Sequence, residues 1–298
     1  MAYVDDEIAS QPDCWRRAAE LAAASVEALP RPGQRVAAVG CGTSWFMAMA
    51  YAGLREHAGQ GETDAFQASE FPASRAYDRV VVISRSGTTT EVLDRLAALK
   101  GPSTAIVGDA GSPVAAAATD PVALDFADEH SVVQTRFATS ALALLRAHLG
   151  ADVSSAAADA EVAVRGPLPI DPTGVEQVTF LGRGWTLGIA QEAALKCREA
   201  AGFWTEAYPA MDYRHGPIAI AGPGRAVWAF GEIPDGLADD VERTGATFVP
   251  DRRDGDGHRP LDPMADLILA QRFAVALAAH RGLNPDAPRH LTRSVVLT

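Results

Sequence analysis

Short apolar runs recur along this chain, each closed by a small or hydroxyl-bearing residue and followed by a stretch of helical periodicity. In the first half the runs start at Val36, at Val80 (through Ile83), at Thr104–Val107 and at Val122–Phe126. In the second half they start at Val178, Val227–Phe230 and Thr247–Val249. None alternates apolar with polar residues, so each predicts a strand buried on both faces of a parallel sheet. Helical patterns lie between them, from Glu91, over Thr139–Leu149 and over Met264–His280, and the stretch from Ala151 starts helix-like before its prolines. Alternation of this kind predicts an α/β architecture with helices covering both faces of its sheets.

The two halves share one grammar. VAAVGCGTSWFMAMAYAGLRE from Val36 and VTFLGRGWTLGIAQEAALKCRE from Val178 each read as strand, Gly-x-Gly turn and helix. An offset of 142 residues places Gly40 on Gly182, Gly42 on Gly184 and Ala48 on Ala190, which points to an internal duplication. A dinucleotide fingerprint needs a third glycine, but Trp45 and Leu187 stand there, which disfavours a nicotinamide-binding fold. Pro167, Pro169 and Pro172 mark a boundary near Gly166 and an expected division into 1–165 and 166–298. Ligands of such sheets sit beyond the carboxyl ends of the strands.

One loop at such an end stands out. After Val80–Ile83 come Ser84, Arg85, Ser86, Gly87 and Thr88–Thr90, five hydroxyls in seven residues at the start of a helix. Hydroxyl donors, free backbone N–H groups and the helix dipole together favour an anion, and Gly87 permits close approach or a positive φ. An ordinary serine-rich turn is the plain alternative; the density of hydroxyls favours a cradle for a phosphate monoester.

Composition narrows the chemistry. A net charge of −12 argues against nucleic acid or an anionic membrane as the main partner. No apolar run is long enough to span a bilayer, and the N-terminus lacks a basic-then-apolar leader. Cys14, Cys41 and Cys197 are odd in number and far apart, which fits reduced cytoplasmic thiols and offers no metal spacing. Lys100 and Lys196 are the only lysines among 26 basic residues. Lys100 suits a helix C-terminus, whereas Lys196 lies between Glu192 and Glu199 on one face of the second Gly-x-Gly helix. That spacing also describes an exposed ion-pair ladder. Its origin at a ligand-type turn, and the loop-like stretch that follows with Glu206, Tyr208 and His215, favour proton-transfer chemistry.

Taken together, these motifs resemble the SIS (sugar isomerase) family, closest to the isomerase portion of glucosamine-6-phosphate synthase and related phosphosugar deaminases and isomerases. The matching pieces are GCGTS at Gly40–Ser44, ASEF at Ala68–Phe71, SRSGTTTE at Ser84–Glu91 and SVVQTR at Ser131–Arg136. LGRG at Leu181–Gly184, EAALKCRE at Glu192–Glu199, EAYPAMDYRHGP at Glu206–Pro217 and PDAPRHLTRSV at Pro285–Val295 follow in family order, and EIASQP at Glu7–Pro12 resembles the family's opening. The resemblance implies two flavodoxin-like doubly wound SIS domains, a homodimer with shared active sites, and no metal or cofactor. It implies that Ser84, Ser86 and Thr89, with Ser44 and Arg85 beside them, hold a substrate phosphate. Thr43, Cys41, the Val132–Gln134 segment and Arg293 fall to the sugar end. Glu199 would move a proton between C1 and C2 of an open-chain hexose 6-phosphate. Lys196 would support the enediolate, and His215, from the neighbouring subunit, would assist ring opening.

The departures from the family pattern matter as much. Ala2 stands where the synthase's glutaminase portion has its nucleophilic cysteine, so glutamine-dependent synthesis is not expected of this chain. Arg293 replaces the family's C-terminal lysine and cannot form an imine with a ketose. Arg85 replaces a glutamine and Gln134 a serine, which points to a substrate other than plain fructose 6-phosphate. The expected activity is isomerisation of a phosphosugar or deamination of an aminosugar phosphate. The alternative is a phosphosugar sensor without turnover; a single-domain lyase is disfavoured by the duplication.

Overall fold

In chain order the elements are α1 Tyr3–Ala9, α2 Gln11–Ala24, β1 Val36–Gly40, α3 Thr43–His57, β2 Thr63–Gln67, β3 Arg79–Ser84, α4 Thr90–Ala98, β4 Ser103–Val107, α5 Pro113–Ala117, β5 Asp120–Ala123 and α6 Arg136–His148. They continue with α7 Val153–Arg165, β6 Gln177–Gly182, α8 Thr186–Ala201, β7 Thr205–Pro209, β8 Arg225–Phe230, α9 Leu237–Arg243, β9 Thr247–Val249 and α10 Pro263–His280. The structure is a computed structural model and describes residues 2–72, 74–250 and 259–297. All strand pairs are parallel. The first sheet has the order β2-β1-β3-β4-β5, that of doubly wound flavodoxin-like folds; the second has β7-β6-β8-β9.

The chain forms two compact units, each discontinuous in sequence. One comprises Asp13–His130, Gln134–Ser154 and Thr292–Thr298 around the first sheet; the other comprises Met1–Pro12, Ser131–Val133 and Ser155–Leu291 around the second. The duplicated sequence divides near Gly166, but most of α7 counts with the second sheet and the C-terminal tail with the first.

In the first unit one sheet face carries Ala37, Val39, Val80, Val82, Ala105 and Val107, packed against Val92 and Leu96 of α4 and Val114 of α5. The intervening residues face the other way, the side on which α3 lies against β1 and β2. In the second unit Leu181, Val227 and Ala229 pack against Leu237 and Val241 of α9. Its other face is aromatic: Phe180, Trp228 and Phe230 lie side by side, and Trp228 meets Phe273 of α10 edge-on at 6.0 Å. Strands buried on both faces account for the unbroken apolar runs.

Two strands carry no such run. β2 (TDAFQ) and β7 (TEAYP) are the edge strands beside β1 and β6, mostly half-exposed and rich in polar residues. They too obey the 142-residue offset, Thr63 falling on Thr205. Glu206 and Tyr208, expected in a loop, are therefore on an edge strand. The run at 122–126 is also divided: β5 ends at Ala123 and a 3₁₀ turn follows over Asp125–Ala127. The chain turns there because the Asp125 carboxylate accepts the Ala110 N–H at 3.0 Å and Ala127 N–H bonds back to Leu124.

The Gly-x-Gly turns show why glycine is required twice. A Cβ on Gly40 would sit 2.5 Å from the Ser44 backbone carbon, and one on Gly182 would sit 2.2 Å from the Thr186 carbonyl oxygen. Both contacts bring the first turn of a helix against the end of the leading strand. Gly40→Ala or Gly182→Ala is expected to cost about 3 kcal/mol in urea unfolding, because backbone must shift. Gly59→Ala, at φ +67 with nothing within 4 Å, is expected to cost about 1 kcal/mol for left-handed strain alone.

Candidate active site

In the unit of the first sheet, the carboxyl ends of β1 and β3 bring Cys41, Ser44, Ser84, Arg85, Ser86 and Thr89 around one small cavity of about 30 Å³, together with Gln134 and Arg293. Ile83 and Val92 complete its wall. Gly87, at φ +62, makes the loop turn; a Cβ there would lie 2.1 Å from Ser112 Oγ, and its carbonyl accepts the Val114 N–H. Ser86 Oγ accepts the Thr88 N–H at 3.3 Å. Thr89 is the N-cap of α4, yet its side chain makes no capping bond. Thr89 lines the cavity with its hydroxyl not spent on its own helix. Gln134 Oε1 is buried there with no hydrogen-bond partner, an acceptor suited to a ligand hydroxyl or amine.

Two expected site residues are placed elsewhere. Thr43 is buried at the start of α3 and does not line the cavity. Val132 belongs with the second sheet's unit, where its N–H donates to the Asp286 carbonyl. Arg85 is 2 % exposed, and its guanidinium donates to the Arg293 carbonyl at 3.0 Å and stands 3.8 Å from Glu129. The Arg293 guanidinium pairs with the Asp128 carboxylate and the Glu129 carbonyl. Glu129 and Asp128 were not singled out in the sequence. The signal was there, an acidic pair just upstream of a hydroxyl-bearing helix start.

In the unit of the second sheet, α8 carries the carboxylates and the amine. Lys196 Nζ lies 2.5 Å from Glu199 Oε2 and 3.3 Å from Glu192 Oε1. The Lys196 and Glu192 side chains are each 1 % exposed, and Glu199 is 21 % exposed. An exposed ladder would leave all three in water; here the amine is dehydrated and held by two carboxylates, the compensation that a buried ammonium needs. Glu199 opens on a cleft of about 570 Å³ lined also by Arg198, Arg281, Asn284, Arg289 and His290. Arg198 precedes Glu199 on α8 and the other four come from the segment after α10; sequence reasoning gave none of them a role. His215 is exposed at the end of a 3₁₀ turn, Tyr213–His215, whose Tyr213 is buried, and it does not line that cleft. Among the described residues no group of acidic, histidine or cysteine side chains is placed to hold a metal ion.

Curated relatives of the chain bear the names of phosphosugar enzymes. It is 29 % identical over 296 residues to glutamine–fructose-6-phosphate aminotransferase (isomerizing) of Sulfolobus acidocaldarius, covering 88 % of this chain and 50 % of that protein. With the enzyme of that name from Methanothermobacter thermautotrophicus, identity is 28 % over 306 residues, covering 89 % and 52 %. The chain therefore spans about half the length of these relatives. The structure of glucosamine-6-phosphate deaminase from Thermotoga maritima superposes with a TM-score of 0.80 at 25 % identity, over 99 % of this chain and 100 % of that one. This chain resembles the phosphosugar isomerases and deaminases of SIS type. Tagatose-6-phosphate ketose/aldose isomerase of Escherichia coli shares the fold at a TM-score of 0.81 and 18 % identity, over 97 % and 96 % of the two chains. No family model matches the chain. No helix among the described residues is long and apolar enough to cross a membrane.

Two expectations test this geometry. Burial raises the Cys41 thiol pKa, as does the nearby Glu91 carboxylate, so at pH 7 it is held mostly protonated. Cys197 is fully buried and pushed up to about 12, and Cys14 is buried. Iodoacetamide should therefore label Cys41 alone, slowly, at a rate rising as pH increases, and inorganic phosphate should slow it by occupying the cavity. Labelling indifferent to phosphate would remove Cys41 from the site. Lys196→Met should destabilise the fold by about 3–5 kcal/mol in denaturant unfolding, because Glu192 stays buried without its cation. Adding Glu192→Met should recover much of that loss.

Proposed function

We propose that this protein is a phosphosugar aldose–ketose isomerase or an aminosugar-phosphate deaminase acting between C1 and C2 of an open-chain hexose 6-phosphate. The observation that carries the reading is Glu199: a carboxylate at the rim of an open cleft, with a buried ammonium 2.5 Å from one of its oxygens. A base for carbon must be anionic, accessible and fixed in position. Lys196 supplies the fixing contact and a compact cationic donor for charge developing on a substrate oxygen. In this reading Ser44, Ser84, Ser86 and Thr89 take the phosphate, and Cys41 and Gln134 read the sugar. Thr43 and Val132, which do not line the cavity, stay at the sugar end only on the strength of the family resemblance. His215 does not line the cleft of its own unit, and its service to a neighbouring subunit's substrate stands on the family resemblance alone. The names of the relatives, the parallel sheets and the repeated Gly-x-Gly turn support two SIS domains, divided in sequence at 1–165 and 166–298; a cytoplasmic homodimer is carried by the family resemblance and the cysteine usage alone.

Glu199→Gln decides between catalysis and sensing. Removing a general base should lower turnover of the true substrate about 100- to 10,000-fold, with phosphosugar binding by calorimetry little changed. The assay runs aldose–ketose exchange beside ammonia release, with glucosamine, galactosamine and fructosamine 6-phosphates. Equal behaviour of wild type and Glu199→Gln across that set would make the protein a phosphosugar sensor.

A further inference from the structure

The C-terminal tail lies along the hydroxyl loop inside the first sheet's unit. The Thr90 N–H at the start of α4 donates to the Val295 carbonyl at 3.2 Å, and the Leu297 N–H donates to Thr90 Oγ1 at 2.9 Å. The Thr88 hydroxyl donates to Ser294 Oγ at 2.9 Å. None of these bonds uses Ser84, Ser86 or Thr89, the hydroxyls that line the cavity.

Arg85 joins this strap to the loop. Its planar fork donates to the Arg293 carbonyl on one side and faces the Glu129 carboxylate on the other. Glu129 is itself immobilised: Oε1 accepts the Thr135 N–H at 2.5 Å, the Thr135 hydroxyl at 2.9 Å and the Arg136 N–H at 2.8 Å at the start of α6. With Glu129 1 % exposed, swinging the guanidinium toward a phosphate would separate it from a carboxylate that has no water to turn to. The same acidic segment grips the tail from its other end, through the Arg293 guanidinium on Asp128 and the Glu129 carbonyl.

We propose that Arg85 is a positioning residue that pins residues 292–297 along the phosphate loop, leaving the phosphate to the hydroxyls and backbone N–H groups. This departs from the expectation that Arg85, which lines the cavity, is itself a phosphate ligand, and it rests on the phosphosugar reading above. The substitution of arginine for glutamine in the loop thereby sets how firmly the tail is held, and not how the phosphate is bound. A lysine keeps the charge facing Glu129 but lacks the fork that reaches both partners.

The test combines hydrogen exchange at 292–297, calorimetric binding of inorganic phosphate and steady-state kinetics. Arg85→Gln should speed exchange in the tail about tenfold or more while phosphate Kd moves less than about threefold. Turnover should fall at little-changed KM, and in a chain ending at Leu291 Arg85→Gln should have no further effect. Should the glutamine variant fail to fold, Arg85→Lys keeps the charge beside Glu129 and is expected to loosen the tail in the same way. Unchanged tail exchange in the folded variants, or phosphate Kd raised about tenfold, overturns the proposal. A wild-type protein that turns over none of the sugar phosphates sinks the enzymatic reading, while tail exchange and phosphate binding still report on Arg85.

Discussion

Everything at the ligand end of each sheet depends on one backbone contact made twice: a helix turn resting directly on the last residue of the leading strand. At Gly40 and Gly182 there is no room for a Cβ, and the glycine two residues later takes a positive φ of 53° or 57°. That turn fixes the origin and direction of α3 in one unit and of α8 in the other. In the first it delivers Ser44 to the cavity; in the second it launches the helix that carries Glu192, Lys196 and Glu199. A looser turn would leave these side chains on a flexible loop, where neither a phosphate cradle nor a buried ion pair could be held in register.

Given those helices, buried charge is managed by strict pairing. The chain is acidic overall, yet its functional candidates include a lysine and an arginine almost wholly removed from water. Lys196 is compensated by two carboxylates of its own helix, spaced so that one is buried and the other reaches a cleft. Arg85 is compensated by Glu129, whose other bonds are spent on capping α6. On α8 the buried groups position the accessible one: Glu192 holds Lys196, and Lys196 in turn holds Glu199. Removing one partner from either of these buried pairs would leave a charge without compensation, which is costly.

The central strands were legible because burial on both faces leaves a contiguous apolar run, and the helices because α4 and α6 keep their periodicity and α10 is a long apolar stretch capped by Asp262. The edge strands β2 and β7 were not, since a half-exposed edge tolerates polar residues and its partner is set by the neighbouring strand. The duplication, read from glycine spacing alone, does extend to them: Thr63 pairs with Val36 as Thr205 pairs with Val178. In the candidate site, the hydroxyl loop announced itself by composition. The role of Arg85 did not, because it depends on Glu129 and Arg293, 44 and 208 residues away in sequence.

By itself the sequence determined the α/β alternation, the repeated turn, the hydroxyl loop and the location of the lone helical lysine between two glutamates. These are local properties, fixed by periodicity, by glycine's missing Cβ and by the spacing of side chains on a helix face. Only the tertiary structure decided whether that lysine was a solvated ladder member or a buried cation, since burial depends on what α10 and the second sheet pack against α8. It alone decided that the tail returns to the first sheet's unit and that an arginine in the loop faces a carboxylate. Charge compensation between distant residues is a matter of distance in space, and no local pattern encodes it.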